Sequence, residues 1–440
     1  MGVTNRAQGD LNRVSRGGAR GSAAGALFAS RSGIARYRPS PRLYSLMFVA
    51  LLGAISGILP GAAGSPATHG RSNTSAIAVR VRGNELVDSA GRPVRLLGVD
   101  ATGTEDACVL NSRTVSWGRD NSAEAGHIAS WGANAVRVPL NEDCWLGINR
   151  APDDYTAAYY RASVKRWVHN LNAAGLLAIL DLHWSAPGRF RATQQWPMPD
   201  FGHSIRFWTS VATMFASTPG VLFDLFNEPY VGKSRPTTRD WQCWRDGCTK
   251  RFDVCTTTPG IPKCRAVRYR AAGMQQLLLA VRAVGARQPV LVGGLNWAQD
   301  PCGIKDNDGN GGRCMWLRYA PTDPLSQLAV SLHTYNWGAC TTPSCWRASV
   351  LPAARRVPVV TSEFGERNCG STFDAKFMTW ADAHEISYLA WSWQPLSRSA
   401  RCSDNNLALL SNWDGSPNRT PSAGAAIRRH LLELARHARH

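Results

Sequence analysis

Two glutamates in this chain each close an apolar run. Asn227-Glu228-Pro229 follows Val221–Phe226, and Glu363 follows Val357–Ser362. Runs of that composition read as β-strands covered on both faces, so an acid at the carboxyl end faces a cleft where strand ends converge. Two carboxylates across a pocket can work as general acid and nucleophile when their surroundings hold their pKa values apart. The chemistry suggested is hydrolysis, and the pairing requires a fold that brings positions 228 and 363 to one rim.

Eight apolar runs supply such a fold: Arg95–Ala101, Ala133–Leu140, Leu176–His183, Val221–Asn227, Pro289–Asn296, Leu328–His333, Val357–Glu363 and Ile386–Trp393. Between and after them lie helical patterns over Tyr155–Ala174, Gly202–Ala216, Arg265–Arg287, Trp346–Arg356, Phe373–His384 and Ala423–Ala438. Met274, Leu277, Leu278, Val281 and Val284 recur at three- and four-residue spacing, as on one helix face. Eight strands alternating with helices predict an α/β fold, a closed parallel (β/α)8 TIM barrel. A doubly wound open sheet is the alternative, and the first strand lacks the Gly-x-Gly-x-x-Gly turn that would favour it. Ahead of the barrel, the alternating Val79–Arg82 and the turn residues Gly83, Asn84, Gly91 and Pro93 predict a small N-terminal β-hairpin lid.

Polar and aromatic residues gather at the predicted strand ends: Arg137, His183, Trp184, Asn227, Glu228, Trp297, His333, Tyr335, Glu363, Trp391 and Trp393. One such residue is usually structural. A barrel, however, points residues from seven strands into one pocket. There Arg137 can keep a nucleophilic carboxylate ionised, Tyr335 can hydrogen-bond it, and tryptophan faces match the C–H faces of a pyranose ring.

The remaining sequence bounds the setting. Residues 1–42 carry eight arginines against one acid and form a basic segment that should not fold alone. Residues 43–64 read as the hydrophobic part and cleavage site of a secretion signal, with a cut before Ser65, then a linker over 65–77 and the catalytic domain over 78–440. An uncleaved leader anchoring the chain to a membrane is the alternative. The net charge of +19 falls to +12 without the leader, and no Lys/Arg run interleaved with aromatics predicts nucleic-acid binding. Twelve cysteines predict disulfide-stapled loops: Cys243–Cys248, Cys255–Cys264, Cys302–Cys314 and Cys340–Cys345 as near neighbours. Cys108 with Cys144, and Cys369 with Cys402, would join adjacent loops on one face. The motif beginning at Asp306 opens like a calcium loop, but Leu317 occupies the twelfth position where a bidentate glutamate belongs.

The segment from about Val79 to Gln394 resembles the catalytic domain of glycoside hydrolase family five. The resemblance is specific at Leu225–Pro229, Asp181-Leu-His183, His333-Thr-Tyr335, Ser362–Gly365 and Ala390-Trp391-Ser392, with Arg137 where the family keeps its arginine. It implies a retaining glycosidase with Glu228 as acid/base and Glu363 as nucleophile. Asn227 would hold the sugar hydroxyl beside the reacting carbon, and His183, His333, Tyr335 and Trp391 would line the cleavage subsite. The expectation is a secreted, monomeric endo-β-glycosidase on a polysaccharide or oligosaccharide, needing no metal or cofactor. Its first-choice substrate is β-1,4-glucan, the alternatives being β-mannan or other β-glycosides. A non-catalytic sugar-binding barrel is the reading from another class. The Cys-rich stretch 232–265 is longer than a minimal barrel needs, and its Trp241 and Trp244 either narrow the cleft or merely belong to a stapled loop.

Overall fold

The computed structural model describes residues 77–110, 112–232, 235–255, 264–306, 313–396, 406–418 and 422–437. The leader, the cleavage site, the linker up to residue 76, and the segments holding Asp308 and Cys402 lie outside them. Among the described residues twelve strands form in chain order: β1 Arg80–Arg82, β2 Glu85–Val87, β3 Leu97–Asp100, β4 Ala135–Asn141, β5 Leu177–Trp184, β6 Val221–Asp224, β7 Cys248–Cys255, β8 Cys264–Ala271, β9 Val290–Gly293, β10 Leu328–Tyr335, β11 Val359–Gly365 and β12 Ser387–Ala390. Eight of them, β3-β4-β5-β6-β9-β10-β11-β12, close into a barrel of parallel neighbours, matching the eight expected runs.

The lower parts of the strands alternate between two environments. On β4 and β5, Val136, Val138, Leu140, Ala178, Leu180 and Leu182 face the helices, while Ala135, Leu177 and Ile179 belong to a separate interior cluster. That cluster continues with Leu222, Leu291, Ala329, Val360 and Leu389, so the lower barrel is a plug of aliphatic side chains. Each buried leucine, isoleucine or valine among them contributes roughly 1.5–3 kcal/mol. Gly98 on β3 is required by this closure, since a Cβ there would lie 1.8 Å from the carbonyl oxygen of Ala135.

The hairpin β1–β2 forms as expected, but it covers the end of the barrel away from the strands' carboxyl termini. Val79 and Leu86 pack on the aliphatic plug, and Gln327, just before β10, exchanges hydrogen bonds with Val81 through Oε1 at 2.7 Å and Nε2 at 3.2 Å. It is a floor rather than a lid.

Four expected disulfides are present: Cys108–Cys144, Cys243–Cys248, Cys302–Cys314 and Cys340–Cys345. Cys264 and Cys369 are also disulfide-bonded; the pairings Cys255–Cys264 and Cys369–Cys402 involve residues outside the described side chains.

Helices Ala157–Ala173, Ser204–Phe215, Thr372–Asp382 and Ala423–His437 occupy the predicted stretches. Two expectations need correction. The helix expected from Arg265 starts only at Met274, because residues 264–271 pair antiparallel with β7 as a hairpin inserted between β6 and β9. The period of two is visible there: Val267, Tyr269 and Ala271 turn inward and Arg268 and Arg270 outward. The helix expected over Trp346–Arg356 breaks into Pro343–Ser349 and Leu351–Ala354. Pro352 has no N–H to continue the first helix, so it sits in the first turn of a new one.

Candidate active site

Above the aliphatic plug, the same inward positions become charged. Arg137 is fully buried and its guanidinium meets five oxygens: Asp224 Oδ2 at 3.1 Å from Nε, Asp100 Oδ1 at 3.1 Å and Glu363 Oε1 at 2.5 Å from Nη1, and Asp181 Oδ2 at 3.0 Å and Asn227 Oδ1 at 2.9 Å from Nη2. Four of these contacts are hydrogen bonds, and the one to Asp181 is an ion pair. Four carboxyl groups thus surround one cation. Burial raises the pKa of Asp181 and Asp224 to about 7 against the pull of Arg137, and raises that of Asp100 well above the usual carboxylate range. Among the described residues, one oxygen of each of these three aspartates is buried without a hydrogen-bond partner, as suits a carboxyl group that is not fully ionised. This layer was missed in the sequence, although Leu177, Ile179, Asp181 and His183 spell it out at period two.

The next layer holds the two glutamates. A β-bulge at Ser362 shifts the β10–β11 register between Leu332 and His333, so that His333 and Glu363 pair directly just beyond it, while the β11–β12 pairing skips both Ser362 and Glu363. Glu228 follows the end of β6 in a turn and has φ of 46°, disfavoured for a residue with a Cβ. Its carboxyl group, that of Glu363 and a ring nitrogen of His333 offer three atoms within 4.8 Å of one another. His333 Nδ1 lies 3.1 Å from Glu228 Oε1 and 3.3 Å from Glu363 Oε2, and the Tyr335 hydroxyl donates to Glu363 Oε2. The side chain of Glu228 keeps 19% of its surface exposed and that of Glu363 only 4%, so Glu228 faces the opening.

Burial raises the pKa of both glutamates. For Glu228 the negative charge of Glu363 adds to the rise, and Glu228 is pushed well above the usual range. For Glu363, Arg137 and the Tyr335 hydroxyl work against it. His183 is held down to about 3 by burial and then by Arg137, so its ring is neutral at ordinary pH. Its Nδ1 lies 2.6 Å from Asp181 Oδ2, a hydrogen bond that holds the orientation of the ring. The same ring stacks on Trp391 with centroids 5.4 Å apart.

All eight expected site residues, Arg137, His183, Asn227, Glu228, His333, Tyr335, Glu363 and Trp391, therefore lie at or just below the carboxyl-terminal rim of the barrel. Trp297 stacks on Tyr230 at 3.8 Å beside them. Trp393 does not join the pocket: it is buried against Trp131 and donates to Glu124 Oε1 at 2.5 Å. Trp241 and Trp244 do not narrow the cleft either. Both are fully buried, donating to Asp306 Oδ2 at 2.6 Å and Gly293 O at 2.9 Å, and so pin the stapled loop to the barrel wall. Asp306, the first residue of the calcium-like motif, spends both oxygens on Trp241 and Asn296. Sequence reasoning also missed Gln195, which bonds Asn227 from the loop after β5.

A (β/α)8 barrel with ionisable residues converging at the carboxyl ends of its strands defines the class of barrels that carry their chemistry at that rim. Within it, the chain belongs to the cellulase family, glycosyl hydrolase family 5, whose model matches residues 87–397. Endoglucanase 1 of Saitozyma flava is 24% identical over 272 residues, covering 59% of this chain and 65% of that relative. Among solved structures, a β-glucanase from Saccharophagus degradans superposes with a TM-score of 0.56 at 18% identity, over 82% of this chain and 94% of the other. The catalytic domain of a Thermobifida fusca endoglucanase gives 0.52 at 17%, over 81% and 97%.

Proposed function

We propose that the protein is a secreted retaining endo-β-glycosidase that cleaves β-1,4-glucan by double displacement, with Glu228 as acid/base and Glu363 as nucleophile. The observation that carries this reading is the 4.8 Å limit on the separation of the two carboxyl oxygens and the histidine between them. Retaining glycosidases place their carboxyl groups about 5–5.5 Å apart, whereas inverting ones need roughly 6.5–9.5 Å to admit a water.

Glu363 attacks the anomeric carbon while Glu228 gives its proton to the departing glycosidic oxygen, leaving a glycosyl ester on Glu363. Water then attacks that carbon, Glu228 takes the water's proton, and the ester bond breaks to restore Glu363. The unequal environments suit these duties: Glu228, pushed further up, holds the proton, and Glu363, beside Arg137 and Tyr335, gives it up first. Asn227 would contact the hydroxyl next to the reacting carbon, and Trp391 with the His183 ring offers a flat wall for the sugar.

β-1,4-Glucan is favoured because the relatives carry glucanase names and one S. degradans structure holds cellotetraose. The test is hydrolysis of carboxymethyl cellulose, lichenan, laminarin and galactomannan. Activity on galactomannan with none on the glucans would replace the first choice with β-mannan. Secretion is supported by the leader and the disulfides; a mature protein in culture medium beginning at Ser65 is the expected result, and retention of the intact chain in the membrane would overturn it.

A further inference from the structure

We infer that Gln195 is a positioning residue that fixes the plane of the Asn227 amide and braces the strained turn carrying Glu228. The inference rests on the reading above that Asn227 contacts the sugar hydroxyl beside the reacting carbon.

An asparagine amide offers a donor end and an acceptor end of nearly the same shape, so its usefulness to a substrate depends on what holds it. Arg137 Nη2 has only N–H groups to present, which places Asn227 Oδ1 on its side at 2.9 Å. That single contact settles which end is which but leaves the amide free to tilt. The second contact, Asn227 Nδ2 donating to Gln195 Oε1 at 3.0 Å, fixes the plane. Nδ2 carries two N–H groups, and among the described residues Gln195 takes one. The other is then held in a fixed direction for a hydroxyl oxygen.

The orientation of Gln195 is itself determined. Its Nε2 faces carbonyl oxygens only: Asn227 O at 2.6 Å, Trp196 O at 2.8 Å and Glu228 O at 3.4 Å. An oxygen there would face three oxygens, so the amide cannot flip, and Oε1 is left for Asn227. Those contacts also grip the peptide carbonyls of Asn227 and Glu228 around the backbone at φ 46°. Gln195 is itself only 5% exposed, so water does not readily compete for these bonds. It touches no reacting atom and acts through Asn227 and the Glu228 turn.

The experiment measures kcat/KM for two 2,4-dinitrophenyl β-cellobiosides, one intact and one lacking the 2-hydroxyl on the reacting sugar. The ratio of the two values is independent of the fraction of enzyme folded, so a merely structural defect does not move it. Relative to wild type, Q195M and N227A should each lower this ratio about 10- to 100-fold, as loss of a directed hydrogen bond in the transition state predicts. Q195A, whose shorter side chain leaves room for water at the carbonyls, should lower it in the same direction. Q195M and Q195A ratios equal to wild type, with N227A reduced, would overturn the role of Gln195 while leaving that of Asn227. An N227A ratio equal to wild type would overturn the Asn227 contact and the inference resting on it.

Discussion

Arg137 and Glu363, 226 positions apart in sequence, meet at 2.5 Å inside the barrel, and Glu363 does not have the guanidinium to itself. Asp100, Asp181 and Asp224 share it. One positive charge cannot balance four negative ones among groups this deeply buried, so protons must be retained.

That excess has a consequence for stability. Asp181 and Asp224 rise to about 7 in the folded protein, against about 3.9 for an unfolded aspartate. Between these values the folded state binds more protons, so stability falls as pH rises through the window and is greatest toward its acidic side. The ion-paired Asp323 and Asp382 are shifted downward and lose their contribution only at still lower pH. Calorimetric melting should therefore show Tm higher at pH 5 than at pH 8, by on the order of 5 °C. The D224N variant should show a shallower dependence; a Tm rising steadily toward pH 8 would contradict the account.

E228Q and E363Q should each lower kcat/KM on soluble glucan by about 10³–10⁵-fold while leaving the melting temperature near that of wild type. The measurement is steady-state kinetics beside a thermal melt. Turnover unchanged in either variant would remove that glutamate from the mechanism.

The pH profile of kcat/KM should be bell-shaped, the acidic limb reporting loss of the Glu363 carboxylate and the basic limb loss of the Glu228 proton. With a leaving group that needs no protonation, E228Q should retain the acidic limb and lose the basic one. Survival of the basic limb in that variant would assign it to another group.

Two disulfides of different span offer a graded test. Cys108–Cys144 closes 36 residues and ties the loop after β3 to the short helix Glu142–Leu146 that follows β4, whereas Cys340–Cys345 closes five. Loop-closure entropy predicts that replacing the first pair by serines costs about 4 kcal/mol and the second about 2 kcal/mol. Denaturant unfolding of the two double variants checks the order, and equal losses would argue against an entropic origin.

The barrel was legible because its strands carry a continuous apolar signal, and the rim residues because they interrupt that signal at strand ends. The layer of Asp100, Asp181 and Asp224 was not, since each aspartate sits within an apolar run whose hydrophobic signal does not mark which positions point into the barrel. The β7–β8 hairpin was hidden by Arg265–Arg270, where alternating arginines around Val267 and Tyr269 can be taken for the polar face of a helix. Gln195 gave no local signal at all; its importance comes from a loop crossing back over Asn227, a contact between residues 32 positions apart.

The hairpin sealing the lower end gives the molecule two faces with separate obligations. Its turn at Gly83-Asn84 is exposed while the residues beneath it are sealed in aliphatic contact. A tether, a label or a fused partner attached at that turn would leave the opposite mouth, where Glu228 and Glu363 lie, unobstructed, giving this scaffold a natural handle for fixing it to a solid support.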